Sequence, residues 1–196
     1  MSGASGVRFV YQSYFFVAWG AWVIYWWIAA AGAKAAVRRE SFASRAAHIG
    51  PLILAIVLLA LPGLPFFGLD TPLLPRTVTR FWIGASITTG GLLYTVWARL
   101  HLSSNWSGTV TIKADHELIT TGPYAFTRHP IYTGLLLAFL GSAIADGEVR
   151  GMLAFLIAFA ALWRKLRLEE KWLSERFGAA YCEYMRRVAA LIPKIL

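Results

Sequence analysis

The chain has 196 residues, 58% of them hydrophobic and only 15% charged, with a formal net charge of +9. A soluble domain carries about 25% charge, so this composition rules out disorder and argues against an ordinary cytosolic enzyme. The basic excess sits between long apolar runs and reads as membrane topology rather than nucleic-acid binding. A single cysteine, Cys182, excludes an internal disulfide framework and any cysteine-based metal cluster.

A hydrocarbon core about 30 Å thick takes roughly 20 helical residues. Residues 9–31 meet that requirement without a charge. A signal peptide does not fit, because the basic stretch Lys34, Arg38, Arg39, Arg45 follows the apolar run instead of preceding it. Residues 49–69 form a second span, interrupted by Pro62 and Pro65, and residues 81–100 a third, with Gly90-Gly91 at its middle. Two shorter apolar segments, 131–145 and 149–163, flank Asp146-Gly147-Glu148. They read as a tight helical hairpin, of two spans or of core or re-entrant helices, and two spans are expected. From Arg164 onward Leu166, Leu173, Phe177, Tyr181 and Tyr184 recur at helix-like spacing among charges, which predicts a helix leaving the membrane. The expected fold is thus all-α, with about five transmembrane helices and a cytoplasmic C-terminal helix. A three-span region, 1–98, precedes a core over 99–196.

Charge sets the orientation. With the N-terminus outside, the inner segments 32–48, 99–130 and 164–196 hold 4, 3 and 8 Lys or Arg, against only Arg8, Arg76, Arg80 and Arg150 outside. This asymmetry predicts an outer N-terminus and a cytoplasmic C-terminus.

No Rossmann fingerprint, phosphate-binding loop or HExxH is present, and the histidines at 48, 101, 116 and 129 never fall at i, i+4, so no metal site is expected. The informative stretch is His116-Glu117-Leu118-Ile119, then Gly122-Pro123-Tyr124, then Arg128-His129-Pro130-Ile131-Tyr132. Val110-Thr111-Ile112 before it suits a short extended piece. Pro130 suits the first turn of a helix, which puts His129 at its N-terminal boundary. Free N–H groups there would attract an anion, although Tyr, Arg and His also serve as plain interfacial anchors. Glu169-Glu170 falls roughly 9 Å beyond Trp163 along a helix. It is either a lid carboxylate over the inner mouth of the bundle or a solvated pair bonded to Arg164, Lys165 or Arg167. Adjacent helical residues point about 100° apart, so only one of the two glutamates is expected to face a pocket. Trp172, Phe177, Tyr181 and Tyr184 read as a packing or interfacial face, and Cys182 as inert.

In order and spacing these motifs resemble the isoprenylcysteine carboxyl methyltransferase family of integral-membrane enzymes. The matching elements are Asn105-Trp106-Ser107-Gly108-Thr109, His116-Glu117-Leu118-Ile119, Gly122-Pro123-Tyr124 and Arg128-His129-Pro130-Ile131-Tyr132-Thr133-Gly134. They continue in Glu169-Glu170, Phe177-Gly178, Tyr181, Tyr184, Arg187-Val188 and Ile192-Pro193. The first two spans carry no family-specific signal. The resemblance implies S-adenosylmethionine-dependent methyl transfer to a lipophilic or prenylated acceptor at the cytoplasmic face, with S-adenosylhomocysteine as product and membrane lipids as surroundings. It carries cofactor contacts onto Thr109, His116, Glu117, Leu118, Ile119, Tyr124, His129, Pro130, Ile131, Tyr132 and Glu169. Arg128, His129 and Glu169 become the expected catalytic residues. The family's substrate-facing Arg aligns with Lys165, with Arg164 and Arg167 as substitutes. Where the family often has Pro after the tail Val, this chain has Ala189. An anionic carboxylate acceptor needs no general base, whereas an amine or thiol would call on His129. Rival readings are methylation of a lipid amine or small thiol, a sterol-reductase-like NADPH enzyme sharing an Arg-His-Pro-x-Tyr segment, and a membrane scaffold without catalysis.

Overall fold

The computed structural model describes residues 2–30, 36–61, 68–103, 111–113 and 118–195, with side chains for 13–30, 40–61, 68–103 and 118–195. Among the described residues six α-helices run in the order α1 (Ser2–Ala30), α2 (Phe42–Ala60), α3 (Val78–Leu102), α4 (Pro130–Asp146), α5 (Val149–Phe177) and α6 (Ala179–Arg187). The all-α expectation is qualified by one small ribbon, in which β1 (Ala36–Arg39) pairs antiparallel with β2 (Thr111–Lys113). By length and composition, Ser13–Ala30 and Phe42–Ala60 qualify as membrane spans.

Two boundaries differ from the sequence reading. The second helix starts at Phe42 rather than at residue 49, because Ser41 caps it, its hydroxyl accepting from the Ser44 N–H at 3.2 Å. That helix ends at Ala60, and the proline-bearing segment around Pro62 and Pro65 lies outside the described residues. As expected of a helix leaving the membrane, α5 continues unbroken through Arg164 and runs 29 residues to Phe177, but the tail does not stay one helix. Gly178, at φ +53°, then breaks the chain direction before α6.

Helices α3 and α4 approach closely through small residues. A Cβ on Gly91 would lie 2.5 Å from the Gly134 carbonyl oxygen, and one on Gly141 would lie 2.5 Å from the Thr88 nitrogen. Apolar side chains gain nothing by leaving lipid, so backbone contact of this kind and interhelical hydrogen bonds hold membrane helices together. The Thr88 hydroxyl accordingly donates to the Ala138 carbonyl across the interface at 3.2 Å. Helix α1 docks by polar tips on aromatic rings: Trp19 Nε1 donates to Ser142 Oγ at 3.1 Å and Trp22 Nε1 to Thr95 Oγ1 at 2.6 Å.

The turn between α4 and α5 is two residues of chain, Gly147 and Glu148, locked by charge. Gly147 takes the left-handed φ of +65° that the turn requires. Arg150, 4% exposed, pairs with Glu148 at 2.9 Å and with Asp146, and donates to the Leu58 carbonyl at 3.0 Å. The hairpin read from residues 131–163 is therefore present, and it is fastened at the end of the bundle opposite the polar stretch.

Candidate active site

At the other end of α4 the chain builds a crowded polar centre. A short 3-10 helix, Gly122–Ala125, leads into His129, which caps α4 with Pro130 in its first turn, as the sequence predicts. Gly122 has φ +59°, and a Cβ there would meet the His101 ring at 2.7 Å. His101 Nε2 lies 2.9 Å from Thr121 Oγ1, and its ring stacks on Tyr124 with centroids 6.5 Å apart. The C-terminal segment closes over this loop. The backbone N–H of Arg128 donates to Ala189 O at 2.8 Å and that of His129 to Ala190 O at 3.0 Å. Tyr184 donates its hydroxyl proton to Tyr124 O at 2.5 Å, and Thr133 Oγ1 donates to Leu191 O at 2.8 Å. A tail carbonyl thus occupies the N–H of the capping His129, one of the groups that the sequence reading leaves free for an anion. Tyr181 and Tyr184 are buried, matching the packing role expected of the tail aromatics.

His129 stands between two carboxylates. Its Nδ1 lies 3.6 Å from Glu169 Oε2 and its Nε2 lies 3.4 Å from Glu170 Oε1. Both glutamates therefore face one site, against the expectation that a 100° offset would separate them. The imidazole has a nitrogen on each side, and so one ring reaches both. Their environments differ. Glu169 keeps 22% of its side chain exposed and accepts from the Tyr132 hydroxyl at 2.6 Å. Glu170 is buried and accepts from Arg128 Nε at 2.9 Å and Nη2 at 2.6 Å. Arg128 also donates to the Met185 carbonyl at 3.3 Å and to that of Val188. Its guanidinium ties the start of α4 to α5 and the tail.

Burial opposes charge on His129, but the contacts with Glu169 and Glu170 outweigh it and raise the imidazole above the ordinary histidine range. Burial likewise opposes charge on the two carboxylates, and His129 overrides it and lowers both. Lys165 and the Tyr132 hydroxyl reinforce the effect at Glu169, and Arg128 reinforces it at Glu170. Burial, then Glu169, pushes the Tyr124 phenol up, so it stays protonated.

The other expected site residues fall as follows. The His129 and Tyr132 rings stack at 5.5 Å, and Lys165 Nζ lies 5.4 Å from the centroid of Tyr132. Leu118, Ile119 and Ile131 are half-buried, and Pro130 is fully buried. Arg164 donates to the Ser44 carbonyl at 3.0 Å, while Arg167 is exposed. Thr109, His116 and Glu117, with the Asn105–Gly108 element, lie outside the described residues. His101 and the Glu40–His48 pair carry no signal that the sequence reading singles out, and Glu170 enters it only as the neighbour of Glu169. The positive-φ Gly122 beside Pro123 was the one local sign that something packs where His101 does. Among the described residues no group of three His, Cys, Asp or Glu could hold a metal.

The family model of phospholipid methyltransferase matches residues 79–180, which take in nearly all of the α3–α4–α5 frame and the centre formed by Arg128, His129, Tyr132, Glu169 and Glu170. The chain belongs to this family of membrane methyltransferases. It is 36% identical over 87 residues to protein-S-isoprenylcysteine O-methyltransferase of Saccharomyces cerevisiae, a match covering 42% of this chain and 35% of that protein. It is also 30% identical over 122 residues to the cobalt-zinc-cadmium resistance protein CzcN of Cupriavidus metallidurans, covering 62% of this chain and 51% of that one. The chain thus spans about half or less of these relatives. A solved structure of the eukaryotic intramembrane Ras methyltransferase, isoprenylcysteine carboxyl methyltransferase, superposes with a TM-score of 0.55 at 26% identity, over 81% of this chain and 55% of the other.

Proposed function

We propose that this chain is an S-adenosylmethionine-dependent methyltransferase whose acceptor is lipophilic and is methylated on a carboxylate, as in an isoprenylcysteine-like substrate. The observation that carries this acceptor class is His129 between Glu169 and Glu170. A histidine serves as general base only with a deprotonated nitrogen free to take the proton, whereas a carboxylate faces each ring nitrogen of His129 and together they favour its protonated form. A lipid amine or thiol would need that base. A carboxylate is already an anion and does not, so the arrangement favours ester formation over the other methyl transfers.

The residues fit a polar, cationic cofactor. Thr127 Oγ1 and the Tyr181 hydroxyl are buried with no hydrogen-bond partner among the described residues, and buried polar atoms left in that state call for a ligand or water. S-adenosylmethionine, when bound, supplies a methyl group already activated on a sulfonium. Glu169 holds a polar group of it, Tyr124, His129 and Tyr132 form aromatic walls, and Leu118, Ile119, Pro130 and Ile131 supply apolar contact. Thr109, His116 and Glu117 join them on the strength of the family resemblance. Arg128 is a positioning residue that fixes Glu170 and the tail. Arg164, Lys165 and Arg167 are the cations from which the acceptor carboxylate draws its partner. Catalysis then rests on alignment and on exclusion of water by the tail closed over α4.

We further propose that α1 to α5 cross the bilayer, with the C-terminus and this site on the cytoplasmic side. Residues 99–196 carry the chemistry, and residues 1–98 complete the bundle. The 17 residues of α4 measure about 25 Å at 1.5 Å each, enough for a slightly thinned bilayer. Binding of S-adenosylhomocysteine to the purified protein tests the cofactor. Saturating product should raise the melting temperature by mass action, and no shift at millimolar product would contradict the reading.

A further inference from the structure

The start of α2 lies against α5 one turn before the two glutamates, and it presents a second polar cluster that the chemistry above leaves unused. His48 is 1% exposed and Glu40 6%. His48 Nε2 lies 3.4 Å from Glu40 Oε1, and the Ser44 hydroxyl donates to Glu40 Oε2 at 2.9 Å. Arg164 reaches into this cluster from α5. Its Nη1 donates to Ser44 O at 3.0 Å and to His48 Nδ1 at 3.4 Å, and its Nη2 donates to Ser44 Oγ at 3.4 Å. A guanidinium only donates. Nδ1 is therefore the accepting nitrogen of His48, and the ring proton sits on Nε2, facing Glu40. Carboxylate, imidazole and guanidinium form one directed chain.

The way Arg164 is held decides what it can do. Its three contacts use both protons on Nη1 and one on Nη2. Among the described residues, the Nε–H and the remaining Nη2–H have no protein acceptor, and these two form the parallel fork that binds one carboxylate bidentately. Lys165, the next residue, is drawn instead to the Tyr132 ring and toward Glu169. We propose that Glu40, Ser44 and His48 are positioning residues that aim Arg164, and that the free Nε–Nη2 edge of Arg164 binds the anionic group of the acceptor. This rests on the carboxylate-acceptor reading and gives the second helix a part in acceptor binding.

The test measures binding rather than turnover, in full-length protein in micelles, with N-acetyl-S-farnesylcysteine and its uncharged primary amide as probes. S-adenosylhomocysteine affinity is measured on each preparation as the check on folding and on the cofactor reading. The wild type should prefer the acid over the amide at least tenfold. Arg164→Lys and His48→Leu should each cut that preference about fivefold or more, with product affinity within twofold of wild type. His48→Asn, which keeps an acceptor near the Nδ1 position, should restore most of it. The double variant should be no worse than Arg164→Lys alone, because both act through one guanidinium. A wild type that binds product but does not distinguish acid from amide would overturn the proposal while leaving the cofactor reading intact. So would a His48→Leu variant that keeps the full preference, or one that loses acid, amide and product binding in parallel. Failure of the wild type to bind product would instead overturn the cofactor reading.

Discussion

Glu169 and Glu170 are neighbours in sequence and share His129, yet opposite outcomes are expected when each is neutralised. In Glu170→Gln the perturbation falls on a carboxylate that receives two donors from Arg128, and both side chains are about one-tenth exposed. Removing one partner of a buried pair leaves an uncompensated charge and costs about 3–5 kcal/mol. At roughly 2–4 °C per kcal/mol for a chain of this length, the melting temperature should fall by about 6–20 °C. The loss should be visible even without ligand, because Arg128 also holds the Met185 and Val188 carbonyls that close the tail. Glu169→Gln removes a partly exposed carboxylate whose protein contacts are the Tyr132 hydroxyl and His129. Its effect should appear in ligand affinity, as the loss of about 1.5–3 kcal/mol from a charge-assisted hydrogen bond, roughly ten- to hundredfold. Thermal melts in micelles with and without S-adenosylhomocysteine, paired with calorimetric binding, separate the two. Equal melting temperatures for the two variants, together with equal product affinity, would refute the division of labour.

Three further outcomes follow from the geometry. Gly91→Ala should cost about 1–3 kcal/mol by overpacking, since its Cβ would press on the Gly134 carbonyl, whereas Gly90→Ala has nothing within 4 Å and should be neutral or stabilising. Equal melts for the two alanines would contradict the α3–α4 contact. His129 has a raised pKa, so its stabilising contribution is complete below the unfolded value near 6.5 and is lost as pH climbs through the higher folded value. Wild-type melting temperature should therefore decline more steeply than that of His129→Asn as pH rises above about 6.5, and a parallel decline would remove the charged imidazole from the account. In intact cells a tag after Leu196 should resist external protease and one before Met1 should be cleaved, and protection of both would break the five-span arrangement.

The parts of this structure that were legible in sequence are those encoded locally. Apolar length and the Asp146-Gly147-Glu148 interruption defined the α4–α5 hairpin, and Pro130 placed His129 at a helix cap. The early start of α2 is not legible in hydropathy, which begins at Ile49, while the helix begins at the Ser41 cap and spends its first two turns on small and polar residues such as Ser44, Arg45 and His48. Rotation along a helix predicts which way a residue points but not the width of what it meets. For that reason Glu170 was read as the idle neighbour of Glu169. Its partner Arg128 is 42 residues away, and His48 and Arg164 are 116 apart. In the pairing of β1 with β2, Arg39 meets Thr111, 72 residues on. Nothing in a local window reports such contacts.

The central claim is methyl transfer to a carboxylate, and the stability of the product bond tests it most directly. Purified protein incubated with methyl-labelled S-adenosylmethionine and membrane extract should place label in an organic-soluble product. Mild base should then release the label as volatile methanol, because methyl esters hydrolyse under conditions that leave N-methyl and S-methyl groups intact. Label that enters the lipid fraction but survives base would contradict the carboxylate assignment and restore an amine or thiol acceptor.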